Sequence, residues 1–366
     1  MYKYQHGGNL YEITAGNMIK ETDILDFSSN INPLGIPGKL RETLINSIDL
    51  LMNYPDPECN KLRNELSRYT GVPKEDIIAG NGASELIYLL FKVLKPSNIL
   101  MPAPCFAEYA RAAEESGTEI RYYGLKEENS FRLDINDFIG HITKDTEAVL
   151  ICNPNNPTSA LIPSVDLLTL LEYSGKHGIK VIIDEAFIEL TSGGNANSVS
   201  SCLKQYKNLF IIRALTKVLA VPGLRLGYAM GDTCIIGQMS RNKIPWSVNS
   251  FACNIGDILT GDAGYFSQTA AWLKQEKEWL YNELLKLPLL KIFYPDTNFI
   301  LIRILSEDIT SKSLQSAVLK KGILIRDASN FKFLGNKFIR VAVKSMAANE
   351  RLVKALKEVL SDVGLV

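Results

Sequence analysis

The chain carries no net charge: 40 lysines and arginines balance 40 aspartates and glutamates over 366 residues. The basic footprint of a nucleic-acid-binding protein is therefore missing, and any basic residue that matters acts locally. Metal-binding spacing is missing too. The six cysteines, Cys59, Cys105, Cys152, Cys202, Cys234 and Cys253, are scattered, with no Cys-x-x-Cys and no Cys/His cluster. Buried thiols in a reducing cytoplasm are expected, and a zinc site is not. No uninterrupted apolar run reaches membrane-spanning length, and Met1 to Gly16 is polar and aromatic, so a cytoplasmic protein without a membrane partner is expected. There is no internal repeat and no low-complexity tract. The length exceeds one ordinary domain and suffices for a large core domain with a smaller one.

Between about residues 75 and 235, short β-rich runs alternate with helical patterns. The runs are Ile99-Leu100-Met101, Ala148 to Cys152, Val181 to Asp184, Leu209 to Ile212 and Leu226 to Met230. Continuous apolar strands separated by segments such as Ser164 to His177 predict an α/β fold whose mainly parallel sheet is covered on both faces. Active-site groups then collect at strand ends. Past about residue 265 the pattern changes to an amphipathic helix, Gln268 to Leu285, whose Trp272 and Trp279 read as core. Strands at Asn298 to Ile304, Ile323 to Ile325 and Phe338 to Ala342, with helices near Ser311 to Lys321 and Asn349 to Ser361, make a compact α+β unit. The expected organisation is an arm over residues 1–40 that contributes to the small domain and the site, a large domain over 41–262, and a small carboxy-terminal domain over 263–366.

Four elements in one order carry chemistry. Asn153-Pro154-Asn155-Asn156-Pro157-Thr158 and Ile182-Ile183-Asp184-Glu185-Ala186 precede Thr216-Lys217, and Arg225 follows eight residues later in Pro222-Gly223-Leu224-Arg225-Leu226-Gly227. A lysine able to form an imine, an acid for a pyridinium nitrogen, an amide near a ring substituent and an arginine for a phosphate are what pyridoxal phosphate requires. Each alone is ordinary: a lone lysine after a strand is usually solvated, and an Asp-Glu pair is often a cap or turn. Asn81-Gly82-Ala83-Ser84-Glu85 opens an apolar helix pattern, where free amides and the helix dipole suit an anion, although a plain N-cap reads the same way. Asp184 ends a buried strand, where a pyridinium N–H is a natural partner for its carboxylate. Phe106 either stacks on a ring or is a core aromatic. Arg326 follows a strand and Arg340 sits within one, and each suits a carboxylate or a structural salt bridge.

These segments resemble the fold-type I pyridoxal-phosphate enzymes of the histidinol-phosphate aminotransferase branch, nearly end to end. The narrower stretches, His6-Gly7-Gly8-Asn9, Asp26 to Gly35, Pro245-Trp246-Ser247-Val248-Asn249 and Arg340 to Arg351, resemble the threonine-phosphate decarboxylases of cobalamin biosynthesis more than the aminotransferases. The resemblance implies Lys217 as the imine-forming lysine, Asp184 on the pyridine nitrogen, Asn156 near the ring hydroxyl and Phe106 as the stacking ring. It further implies Ala83, Ser84, Thr216 and Arg225 around the cofactor phosphate, with Tyr54 reaching that phosphate from the second subunit of a homodimer. Arg340 would hold the α-carboxylate of a small phosphorylated amino acid, and His6, Asn30 and Arg326 its phosphate. Phe187 stands where the aminotransferases usually have a tyrosine, Ala214 where Ser or Thr often binds phosphate, and Ser159 where glycine is frequent.

The activity implied is decarboxylation of L-threonine O-3-phosphate to (R)-1-amino-2-propanol O-2-phosphate. Transamination of histidinol phosphate or a similar amino acid is the alternative, since the same apparatus can break either bond at the α-carbon. A non-catalytic transcriptional sensor would ordinarily bring a helix-turn-helix extension, for which this chain has neither room nor charge.

Overall fold

The computed structural model describes residues 7–11 and 23–363. Its amino-terminal strand β1 (Leu25–Asp26) lies apart from a seven-stranded sheet. That sheet has the spatial order β2 (Ile77–Asn81), β8 (Leu226–Met230), β7 (Leu209–Ala214), β6 (Lys180–Asp184), β5 (Ala148–Cys152), β3 (Asn98–Ala103) and β4 (Glu119–Gly124). The pairs among β3, β4, β5, β6 and β7 are parallel, and β8 runs against both its neighbours. Alternate residues feed two separate cores, which is why the strands read as unbroken apolar runs. Val149, Ile151, Val181, Ile183 and Ile211 face one core, and Leu150, Ile182, Phe210 and Ile212 face the other.

A smaller antiparallel sheet has the order β12 (Arg326–Asp327), β13 (Phe338–Ala342), β10 (Phe299–Ile304) and β9 (Leu290–Ile292). The helices Ser311–Leu319 and Met346–Val363 share its apolar core with the end of the helix Ala263–Leu284. That long helix begins earlier than its periodicity suggests because the Asp262 side chain accepts from the Tyr265 N–H at 3.1 Å and caps it. Trp272 and Trp279 are partly buried against the core, as read from their spacing.

The run Ile323 to Ile325 does not make one strand. β11 (Ile323–Leu324) pairs in parallel with β1, and the chain then changes partner so that Arg326 opposes Arg340. The amino-terminal segment therefore stitches the two sheets together. The Ala342 N–H donates to the Phe27 carbonyl at 2.9 Å, and a few residues on the Asn32 N–H donates to the Lys217 carbonyl at 3.1 Å. The buried Asn32 amide also donates to the Val218 carbonyl and to Thr269. Among the described residues, no helix is long and apolar enough to cross a membrane.

Candidate active site

The carboxyl ends of β3, β5, β6 and β7 open into a cleft of about 250 Å³, lined also by Arg326 and Arg340 of the smaller sheet and by Phe331 from the connection between their strands. Asp184 is the last residue of β6, opposite Cys152 and Ile212, and is only 3% exposed. Its Oδ2 accepts from the Tyr109 hydroxyl at 2.7 Å and its Oδ1 from the Ala186 N–H at 2.9 Å. Burial pushes this carboxyl up to about 6, against the pull of both donors. Lys217 lies just beyond β7 in the short helix Leu215–Val218. Burial brings its ammonium down to about 8, assisted by Arg340 and Arg225.

A second corner is made of backbone. The helix Gly82–Leu94 starts with Gly82 at φ +81°, and the Asn81 side chain does not cap it. A Cβ on Gly82 would lie 2.6 Å from Arg225 Nη2 and would be strained at that φ, so glycine suits both the turn and the approach of the guanidinium. Gly227 plays the matching part on β8, because a Cβ there would meet the Ala83 nitrogen at 2.5 Å. The result places the first amides of the helix, the buried Thr216 and Arg225 around one small space, a ready anion site. Arg225 itself holds φ 57°, the left-handed region that costs a non-glycine residue free energy.

The opposite corner holds two arginines. Arg326 and Arg340 are direct cross-strand partners and both line the cleft. Arg340 donates to the Ser28 carbonyl at 2.8 Å and to Asn156 Oδ1, while its Nε has no hydrogen-bond partner among the described residues. Burial, with Arg326 nearby, brings this guanidinium down to about 9. Arg326 donates to Asn330 Oδ1 at 2.7 Å and lies over the Phe331 ring. Asn30 is buried with its Oδ1 unpartnered among the described residues.

Nearly all the residues singled out in the sequence therefore converge: Ala83, Ser84, Phe106, Asn156, Asp184, Thr216, Lys217, Arg225, Asn30, Arg326 and Arg340 line one cleft. His6 lies outside the described residues, although Gly7 lines the same cleft and the Gly8 N–H donates to Ser28 Oγ at 2.8 Å. Tyr54 does not join them within this chain; it is 81% exposed and tilts against Trp246, ring centroids 4.8 Å apart.

The three departures have places as well. Phe187 lines the cleft and packs edge-on against Phe299, putting no hydroxyl there. Ala214 lines it where a hydroxyl could have stood. Ser159 has φ 65°, the conformation that explains a frequent glycine, and its hydroxyl accepts from the Thr297 N–H at 3.0 Å to hold the two sheets together.

Sequence reasoning missed Tyr109 as a partner of Asp184, although it stands three residues after Phe106 in the first turn of the helix that Phe106 precedes, where the two rings meet edge-on. It also missed the fully buried Arg213, which donates to Glu185 Oε2 and Asn195 Oδ1, each at 2.8 Å. The signal there was a charge inside the apolar run Leu209 to Ala214.

The description "Aminotransferase class I and II" matches residues 22–356. A threonine-phosphate decarboxylase from Salmonella typhimurium is 37% identical over 99% of this chain and 98% of its own length. Among solved structures, a histidinol-phosphate aminotransferase from Clostridium acetobutylicum has a TM-score of 0.85 at 35% identity, covering 93% of this chain and 100% of its own. The L-threonine-O-3-phosphate decarboxylase from Porphyromonas gingivalis has a TM-score of 0.81 at 25% identity, covering 92% and 99%. With both the whole-length match and the cleft pointing the same way, this chain belongs to the class I and II aminotransferases, a family of pyridoxal-phosphate-dependent enzymes.

Proposed function

We propose that this protein is a decarboxylase of L-threonine O-3-phosphate that works with pyridoxal phosphate and gives (R)-1-amino-2-propanol O-2-phosphate, a step of cobalamin biosynthesis. The observation that carries the reading is the pair Arg326 and Arg340, set side by side over the cleft in a chain that matches a threonine-phosphate decarboxylase along nearly its whole length. Two adjacent guanidinium groups suit a substrate with two anionic ends, a carboxylate and a phosphate.

The residues fit the cofactor by their chemistry. An aldehyde needs a nucleophilic amine, and a Lys217 held near 8 is neutral in roughly one molecule in ten at pH 7, far more than an ordinary lysine. A ring nitrogen needs an acid, and Asp184 is a buried carboxylate with lone pairs to spare. A phosphate needs donors, which the Gly82–Ser84 amides, Thr216 and Arg225 supply. When bound, pyridoxal phosphate would supply an electron sink for charge formed at the substrate α-carbon.

Within that arrangement Phe106 would cover one face of the ring and Asn156 would meet its hydroxyl. Arg340 orients the α-carboxylate, and Arg326 with Asn30 and His6 receives the substrate phosphate. Lys217 returns a proton to the α-carbon once carbon dioxide has left. Tyr54 reaches the cofactor phosphate of a second copy in a homodimer.

A second reading, transamination, is favoured by the 35% identity to the histidinol-phosphate aminotransferase from Clostridium acetobutylicum. The two are separated by product. Threonine phosphate offered to the purified protein should release carbon dioxide without consuming 2-oxoglutarate. Turnover of histidinol phosphate that depends on a keto acid, with no carbon dioxide from threonine phosphate, would establish the aminotransferase instead. Borohydride reduction followed by peptide mapping should place the pyridoxyl group on Lys217, and a label on another lysine would reject that assignment.

A further inference from the structure

The geometry points to Tyr109 as the positioning residue that holds Asp184 ionised and aimed at the cofactor's ring nitrogen, an inference that rests on the cofactor reading above. Tyr109 is 1% exposed, and its hydroxyl donates to Asp184 Oδ2 at 2.7 Å in a fully buried contact. Among the described residues, the other donor to this carboxylate is the Ala186 N–H at 2.9 Å on Oδ1. One of the two restraints is backbone and fixed by the fold. The other is a side chain, and therefore adjustable.

Two polar groups bear on the phenol, the Asp184 carboxylate and the Cys152 thiol. The Cys152 thiol, from β5, itself donates to the Pro154 carbonyl at 3.3 Å, and the hydrogen bond of the phenol goes to the Asp184 oxygen. Glu185, next in sequence to Asp184, accepts from Arg213 and Ser198 through its Oε2. Phe106 meets Tyr109 edge-on, ring centroids 5.6 Å apart, so one short segment supplies both an aromatic wall of the cleft and the donor behind its acid. No cation lies in contact with Asp184 among the described residues, so hydrogen bonds alone keep charge on an oxygen that burial would rather see protonated.

The consequence concerns one proton. Between a carboxylate and a pyridine nitrogen a single proton is shared, and whatever stabilises the anion pushes that proton toward the ring. Without the phenol, Asp184 becomes more basic, the proton moves back to the carboxyl, and the ring loses positive charge. Asp184 would then attract the cofactor less. A phenol that only filled space would change none of this.

The test compares pyridoxal phosphate with 1-deazapyridoxal phosphate, in which a C–H replaces the ring nitrogen, as ligands of the apoprotein. Equilibrium dissociation constants are measured for the wild type and for Tyr109→Phe, which keeps the ring and loses only the hydroxyl. The wild type should prefer pyridoxal phosphate, and Tyr109→Phe should lose about tenfold or more of that preference while its affinity for the deaza compound changes little. In an Asp184→Asn background the same substitution should leave the preference unchanged. A wild-type preference that survives intact in Tyr109→Phe overturns the role of Tyr109 and leaves the cofactor reading standing. No preference in the wild type overturns both, because Asp184 would then not face the ring nitrogen. Should Tyr109→Phe fail to fold, 3-fluorotyrosine at position 109 keeps the hydroxyl and strengthens its donation. It should widen the preference, and an unchanged ratio would overturn the inference.

Discussion

Lys217 is a buried cation ringed by Arg340, Arg225 and Lys344, all of which press it toward neutrality. In the unfolded chain it keeps its proton to about 10.5, whereas in the apoprotein it gives it up near 8. Below pH 8 both states are charged, and the folded state bears the full cost of burying that charge. Between 8 and 10.5 the folded state deprotonates first and the cost fades, and above 10.5 it is gone. Lys217→Met should therefore stabilise the apoprotein at pH 7 by on the order of 2 kcal/mol, with the gain shrinking toward pH 10.5. Urea unfolding of both apoproteins at the two pH values checks it, and a gain independent of pH would mean that packing, not charge, is responsible. Phe187 allows a second single-residue test. Its ring borders the cleft with no hydroxyl, so Phe187→Tyr would add a donor at the place where the cofactor's own hydroxyl is expected. A donor there stabilises the ionised ring hydroxyl and should move the pH midpoint of the holoprotein's visible absorbance downward. A midpoint that does not move would mean that residue 187 does not reach the ring.

At the scale of elements, the parallel strands were legible because each is buried on both faces, and Ala148 to Cys152 or Val181 to Asp184 cannot be anything else at that length. Asp184 and Lys217 were legible for the same reason, as polar residues at the ends of such runs. Strand order was not. Nothing in Leu226 to Met230 announces that β8 reverses direction and inserts between β7 and β2; that follows from long-range pairing, to which local pattern is blind. Nor could spacing show that Arg326 would face Arg340, because the chain changes sheet at Ile325. Tyr109 was hidden for a different reason: a tyrosine on a helix is as good a core residue as a hydrogen-bond donor. The contact between β8 and the helix Gly82–Leu94 gives the prediction at this scale. A methyl on Gly227 would meet the Ala83 nitrogen, the Gly82 carbonyl carbon and the Arg213 oxygen, all under 3.0 Å and all backbone. Backbone cannot rotate away as a side chain can, so Gly227→Ala should destabilise the apoprotein by about 1–3 kcal/mol and shift the helix start. Affinity for pyridoxal phosphate should fall with it. Wild-type values for both would mean that β8 and the helix can separate freely.

Over the whole molecule, one surface is rich in exposed apolar side chains. Ile45, Ile48, Leu51, Met52 and Tyr54 are exposed on one stretch, and Ile244 and Trp246 are exposed on another. The two stretches adjoin, since Tyr54 lies against Trp246 and the Asn254 amide donates to Ser47 Oγ at 3.1 Å. Exposed apolar side chains grouped in this way suit contact with another protein, and Tyr54 among them is the residue proposed to complete the site of a second copy. If that is so, each cleft draws Lys217 from one protomer and Tyr54 from the other, and two defective chains can repair each other. Lys217→Ala and Tyr54→Ala should each be severely impaired alone. In a heterodimer of the two, one cleft holds both defects while the other holds Lys217 from the Tyr54→Ala chain and Tyr54 from the Lys217→Ala chain. Unfolding and refolding an equal mixture should give half heterodimers with one intact cleft each, so roughly a quarter of wild-type activity should return. Each variant refolded by itself should recover none. If the mixture stays as inactive as its components while sedimentation shows dimers, Tyr54 serves its own protomer, and the exposed patch holds the subunits together without completing their sites.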